Sequence, residues 1–157
     1  MELFFKIWYN NIGDVMLGLY VHIPFCRSIC HYCDFYKMVV SDELKEKTIN
    51  YIIKELELVN SKNRLNFETI YIGGGTPSLL PKKLLEKLLI ALMAEVEIEK
   101  IKEFTIEANP EDLTEEFVSL ISKYHVNRVS IGVQSFNKKT IDEYHKKYDE
   151  LTNEEKV

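Results

Sequence analysis

Leu19-Tyr20-Val21-His22-Ile23-Pro24-Phe25-Cys26-Arg27-Ser28-Ile29-Cys30-His31-Tyr32-Cys33-Asp34-Phe35 is the stretch around which the chain is organised. It starts as an apolar run, meets Pro24, and then puts Cys26, Cys30 and Cys33 on one short loop. They are the only cysteines among 157 residues. An odd number leaves one sulfur without a partner, which argues against a disulfide framework. Thiolates this crowded repel one another unless a metal neutralises them, and soft thiolates select zinc, copper(I) or iron–sulfur clusters. An iron–sulfur cube usually takes four cysteines, so three leave one iron open to a small molecule. A closed zinc site needs a fourth protein donor, for which His22 and His31 are at hand. The spacing favours the cluster and keeps a zinc-binding structural domain as the alternative.

Outward from the loop, the chain alternates strand and helix. Leu17 to Ile23 is β-branched and apolar and stops at Pro24, the reading of a buried first strand. Ser41 is placed to cap a helix whose stripe is Leu44, Thr48, Ile52, Leu56 and Val59, with a polar break from Ser61 to Asn66. Thr69 to Ile72 is a short strand running into Gly73-Gly74-Gly75-Thr76-Pro77, and Pro81 suits the first turn of the next helix. That helix carries Leu84, Leu85, Leu88, Leu89, Leu92, Met93 and Val96. A third strand, Glu103 to Glu107, leads to a helix capped by Thr114 with the stripe Phe117, Leu120, Ile121 and Tyr124. Val129 to Val133 is the fourth strand, and Lys138 to Leu151 reads as a charged last helix. Such alternation predicts an α/β fold with a parallel sheet and helices packed outside it. A closed eight-unit barrel takes about 250 residues. Four units fit here, so a half-barrel is expected, with the edge of its fourth strand open.

Every polar motif follows a strand end, where parallel α/β folds bind ligands. The cysteine loop follows the first strand and the triple glycine the second. Glu107-Ala108-Asn109-Pro110 closes the third, and Gln134-Ser135-Phe136-Asn137 follows the fourth. Triple glycine lets backbone groups approach a ligand closely. It is no phosphate-binding P-loop, because no Lys-Ser/Thr pair follows.

A net charge of −5 gives no support for a nucleic-acid surface. With 46% hydrophobic residues the chain can build one real core, yet no apolar run is long enough to span a bilayer. Clustered reduced cysteines suggest the cytoplasm. The apolar opening carries Glu2 and Lys6 and lacks the pattern of a signal peptide. Residues 1–15 are read as a packed arm, with Met16 a candidate native start.

C-x3-C-x2-C with Tyr32 before the last cysteine resembles the cluster loop of the radical SAM superfamily. The lead Tyr20-Val21-His22-Ile23-Pro24-Phe25-Cys26 narrows this. It resembles the oxygen-independent coproporphyrinogen III oxidase-like family, which includes the haem chaperones. The resemblance runs from Leu17 to Asn137 and implies the first half of a partial TIM-like barrel, residues 16–157, truncated after about four βα units. It implies that Cys26, Cys30 and Cys33 hold a 4Fe–4S cluster whose open iron is chelated by S-adenosyl-L-methionine (SAM). It implies SAM contacts at Gly74, Gly75, Thr76, Glu107 and Gln134, with Tyr20 and Tyr32 packing near the cofactor. His22 is placed beside the cluster, and no catalytic residue is assigned. The implied chemistry is reduction of SAM to a 5′-deoxyadenosyl radical. In the oxidases that radical takes hydrogen from porphyrinogen propionates, whereas in the chaperones haem is bound and handed on. Implied partners are haem or a porphyrin, an electron-donor protein and a haem-accepting protein. Two departures stand out. The oxidases place a further cysteine where Phe35 stands here, and the Leu-Gly-Arg-containing helix after Phe-Asn is not reproduced in Lys138 to Val157. The chaperone branch is therefore expected, with little or no oxidase activity in this chain.

Overall fold

The computed structural model describes residues 5–8, 17–30, 33–63 and 66–140. Its strands are β1 (Phe5–Trp8), β2 (Leu17–Ile23), β3 (Phe67–Gly74), β4 (Glu103–Ala108) and β5 (Arg128–Ile131). Its helices of more than one turn are α1 (Asp42–Asn63), α2 (Lys82–Glu95) and α3 (Glu115–Lys123). The sheet runs in the order β1-β2-β3-β4-β5. β2 to β5 are parallel, and β1 pairs antiparallel with β2. This is the α/β fold of repeated parallel units that the alternation predicts. Among the described residues β5 pairs only with β4, so its other edge is open.

Alternation within each strand separates two faces. Leu19, Val21 and Ile23 of β2, Ile70 and Ile72 of β3, and Phe104, Ile106 and Ala108 of β4 turn to one side and are buried. Ile49, Ile52 and Leu56 of α1, Leu85, Leu88, Leu89 and Leu92 of α2, and Phe117, Leu120 and Ile121 of α3 complete one continuous core with them. Full burial of such a side chain stabilises by about 1.5–3 kcal/mol. The opposite face presents Tyr20 and His22, Tyr71 and Gly73, Thr105 and Glu107, and Ser130, in register from strand to strand.

The elements differ from the sequence expectation in identifiable ways. The arm contributes a strand, β1, which only its long-range pairing with β2 reveals. α1 runs through the predicted break to Asn63, with the Ser61 hydroxyl bonded back to the Leu58 carbonyl. Ile52 and Leu56 of the expected stripe are buried, but in its first turns Ile49 is enclosed and Leu44 is exposed. Thr114 does cap α3, accepting a hydrogen bond from the Phe117 amide at 3.1 Å. β5 ends at Ile131 rather than Val133, because the chain turns away to Gln134, whose φ is +58°. Most of the predicted last helix, from residue 141 onward, lies outside the described residues.

Candidate functional site

Four strand ends converge on one rim. A cavity of about 530 Å³ opens there, within the range of small-molecule sites. Its wall is made by Cys33, Asp34 and Phe35 from the cysteine loop and by Gly74, Gly75 and Thr76 after β3. Glu107, Ala108 and Asn109 at the end of β4, and Ser130, Ile131, Gly132 and Gln134 at β5, complete it. Six of the residues singled out from sequence thus share one wall: Cys33, Gly74, Gly75, Thr76, Glu107 and Gln134. Cys26, Cys30, Tyr20 and His22 do not line it. Tyr32 and His31 lie outside the described residues, as does His145, while His125 is exposed.

The cysteine loop is tied down at its base by backbone bonds. The Met38 amide donates to the Pro24 carbonyl at 2.7 Å and the Cys26 amide to Met38 at 3.0 Å. The glycine segment is laced to the same stretch. The Gly75 amide donates to Ile23 at 2.8 Å, and that of Thr76 to Phe25 at 2.7 Å. A Cβ on Gly75 would lie 2.9 Å from Cys26 Sγ, so only glycine fits between the thiol and the cavity. The Thr76 hydroxyl donates weakly to Cys26 Sγ at 3.9 Å. Farther along the loop, the Lys37 ammonium donates to the carbonyls of Cys33 and Phe35. Arg27, between the first two cysteines, reaches Glu111 and Asp112 beyond β4. The Ser78 hydroxyl donates to Asp112 at 2.7 Å and accepts from the Asn109 amide at 3.2 Å.

All three thiols are free and partly buried. Burial pushes the Cys26 thiol up, the Thr76 hydrogen bond pulls it down, and the neighbouring Cys30 and Cys33 push it up again. A cation at this loop is what such a group of thiolates needs. A cube takes each thiolate on its own iron, so the thiols need only surround it. One loop of partly buried thiols, backed by glycine backbone and Lys37, fits that requirement.

Beneath the rim lies a polar network. Tyr20 Oη and His22 Nδ1 are 2.9 Å apart, and His22 Nε2 lies 3.1 Å from the Tyr36 carbonyl. A carbonyl only accepts, so Nε2 carries the proton and Nδ1 accepts from the phenol. His22 therefore ties β2 to the backbone that follows the cysteine loop, at Tyr36. The Tyr20 phenol is pushed up to about 12 by burial first, then by the Glu107 charge and Tyr71. Glu107 accepts from the Tyr71 phenol at 2.6 Å and from the Gly74 amide at 3.0 Å. Gly74 has φ +119°, a region L side chains rarely enter. Gln134 is held in the left-handed region without being glycine, which is uncommon and concentrated at functional sites. The sequence reading overlooked Tyr71, Ser130, Arg27, Asp112 and Lys37. For Tyr71 and Ser130 a signal existed: each falls on the alternation that brings Glu107 to the polar face.

Comparison with known proteins places the chain among relatives of known fold. The haem chaperone HemW of Lactococcus lactis is 44% identical over 118 residues, covering 75% of this chain and 30% of that protein. HemW of Bacillus subtilis is 36% identical over 149 residues, covering 90% of this chain and 39% of the relative. Among solved structures, the coproporphyrinogen III oxidase HemN of Escherichia coli, described as a radical SAM enzyme, superposes with a TM-score of 0.67 at 26% identity. That match covers 87% of this chain and 31% of HemN. The chain thus spans between 30% and 39% of the length of these relatives. The parallel units described above are those of the HemN partial barrel. The profile of the radical SAM superfamily, whose cofactors are a 4Fe–4S cluster and SAM, matches residues 20–156, nearly the whole chain, and the chain belongs to that superfamily.

Proposed function

We propose that this chain binds a 4Fe–4S cluster through Cys26, Cys30 and Cys33 and SAM through Gly74, Gly75, Thr76, Glu107 and Gln134, as part of a haem chaperone. The observation that carries this reading is the shared cavity wall, where the last cysteine, the glycine segment, Glu107 and Gln134 meet across four strand ends. Glycine backbone and acidic side chain there suit a cationic amino acid group, and the open rim suits a cluster-bound ligand. When bound, cluster and SAM supply one-electron chemistry that no side chain provides. The chain's own part is to orient and shelter: Tyr20 and His22 brace the floor, and Lys37 fastens the loop.

Haem or a porphyrin as ligand, an electron donor and a haem-accepting protein as partners, and a cytoplasmic setting complete the proposal. No helix among the described residues is long and apolar enough to cross a membrane. Phe35 supports the chaperone side. It stands at the cavity wall, 67% exposed, where the oxidases carry a further cysteine. The fold likeness to HemN keeps the oxidase as second reading.

The test is anaerobic reconstitution with iron and sulfide, followed by visible and EPR spectra with and without SAM. About four irons per chain and a SAM-dependent change of the EPR signal are expected. Cys33→Ala should abolish both. One tightly held zinc and no visible charge-transfer band would instead establish the structural-zinc alternative. Haemin titration and an anaerobic assay with coproporphyrinogen III then separate the two haem-related readings. Haem binding without decarboxylation is expected; protoporphyrinogen formed in step with SAM consumption would establish the oxidase.

A further inference from the structure

Tyr71 stands two residues before Gly73 in β3, so the phenol rises from the polar face beneath the rim. It donates to Glu107 Oε1 at 2.6 Å, while the Gly74 amide donates to Oε2 at 3.0 Å. Each carboxylate oxygen is thus held by one protein donor. Each has a second lone pair for an outside donor, and Glu107 lines the cavity. Tyr71 and Glu107 thus form a hydrogen-bonded pair between β3 and β4. The pair also explains a residue that the sequence left without a role. A Cβ on Gly73 would lie 2.6 Å from Tyr71 Cε1 and 3.0 Å from Glu107 Cδ and Oε2. Glycine at 73 leaves the space in which phenol and carboxylate meet.

We propose that Tyr71 is a positioning residue: with the Gly74 amide it fixes the Glu107 carboxylate in the orientation that accepts hydrogen bonds from SAM. This rests on the SAM-binding reading of the cavity. Phenylalanine at 71 would keep the ring and its packing but leave Glu107 held at one oxygen only. The carboxylate would then rotate about χ3, and SAM would have to order it on binding. The burial and the Glu107 bond that push the Tyr71 phenol up keep it protonated, as a donor must be.

The experiment compares four reconstituted full-length chains: the parent, Tyr71→Phe, Gly73→Ala and Glu107→Gln. SAM is titrated anaerobically and the reduced cluster's EPR signal is followed. Iron content and thermal unfolding are measured on each chain. Tyr71→Phe and Gly73→Ala should each need about tenfold more SAM for half-saturation, the scale of one hydrogen bond to a charged group. At saturation their signal should equal the parent's, which a general disturbance of the site would not leave intact. Glu107→Gln should be weakened at least as much. If Tyr71→Phe and Gly73→Ala both bind as the parent does while Glu107→Gln is weakened, the positioning role is overturned and the SAM reading stands. If Glu107→Gln binds as the parent does, or the parent shows no response to SAM, the reading falls and the inference with it. Should Tyr71→Phe melt early, Gly73→Ala decides, because it retains the phenol.

Discussion

Along β2, Leu19, Val21 and Ile23 alternate with Tyr20 and His22, and the two series meet opposite surroundings. The first series is buried in the core that the sheet shares with the helices. The second is held by directed bonds, Tyr20 to the His22 ring and His22 to the Tyr36 carbonyl. One face is held by area and shape, the other by directed bonds that cost much to misplace. The difference is sharp between two residues of β4. Phe104 is fully enclosed between sheet and helices, and Glu107 is partly open to the cavity. Phe104→Ala should cost about 3–5 kcal/mol of stability, through lost transfer energy and the cavity left behind. Glu107→Gln should cost about 1 kcal/mol, because its shape is kept and one donor is mismatched. Urea unfolding of both variants checks the contrast; equal costs would mean that the polar face also carries the fold.

Gly74 tests the polar face from its backbone. A side chain there would be strained at φ +119°, costing about 1–3 kcal/mol. Its Cβ would also lie 2.7 Å from the His22 ring and 3.0 Å from the Ile23 carbonyl. Gly74→Val should therefore lose measurable SAM binding in the EPR titration while remaining folded by circular dichroism. A Gly74→Val chain that binds SAM as the parent does would remove the glycine segment from the proposed site.

What could be read from sequence were features with a local cause. β2 ends where Pro24 ends it, and Thr114 caps α3 through an atom three residues away. The four strand-end motifs were legible because a parallel sheet collects them on one rim whatever the details of packing. Features with a distant cause were not. Tyr71 reads as one more strand aromatic until Glu107, 36 positions on, supplies its partner. Arg27 reads as a spacer between cysteines, and its partner Asp112 is 85 positions away. β1 carries no turn signal of its own and exists as a strand through β2. The stripe of α1 was right at Ile52 and Leu56 but missed Ile49 in its first turns, because Leu44 and Thr48 fit the period as well as Ile49 does. Only the packing of α1 on the sheet and α2 decides between them.

Asp112 joins the two regions. Its side chain is only 8% exposed, and it receives both Ser78 from the buried side and Arg27 from the cysteine loop. Asp112→Ala would leave the buried Ser78 hydroxyl without its acceptor and should cost about 2 kcal/mol. Arg27→Ala removes a pair whose cation is 53% exposed and should cost less than about 1 kcal/mol. Both should speed proteolysis within the cysteine loop of the cluster-free chain. A larger loss of stability from Arg27→Ala than from Asp112→Ala would show that the loop, not the buried carboxylate, anchors this junction.

The smallest effect expected is confined to alkaline pH and belongs to the polar face alone. Tyr20 ionises at about 12 in the folded chain, against 10.0 for a free phenol, because burial and the Glu107 charge both disfavour the phenolate. The unfolded chain therefore loses this proton first as pH rises. The contribution of Tyr20 to stability is fully present below pH 10 and is lost progressively as pH rises toward about 12. Tyr20→Phe cannot ionise. Below pH 10 it should be less stable than the parent by about 1 kcal/mol, for want of the bond to His22. Between pH 10 and 12 the gap should narrow, because the parent loses stability that the variant never had. Urea midpoints of the two chains across that window measure the gap directly. Curves that stay parallel would mean that the phenol is no more protected on this face than in the unfolded chain, and that Glu107 does not act on it.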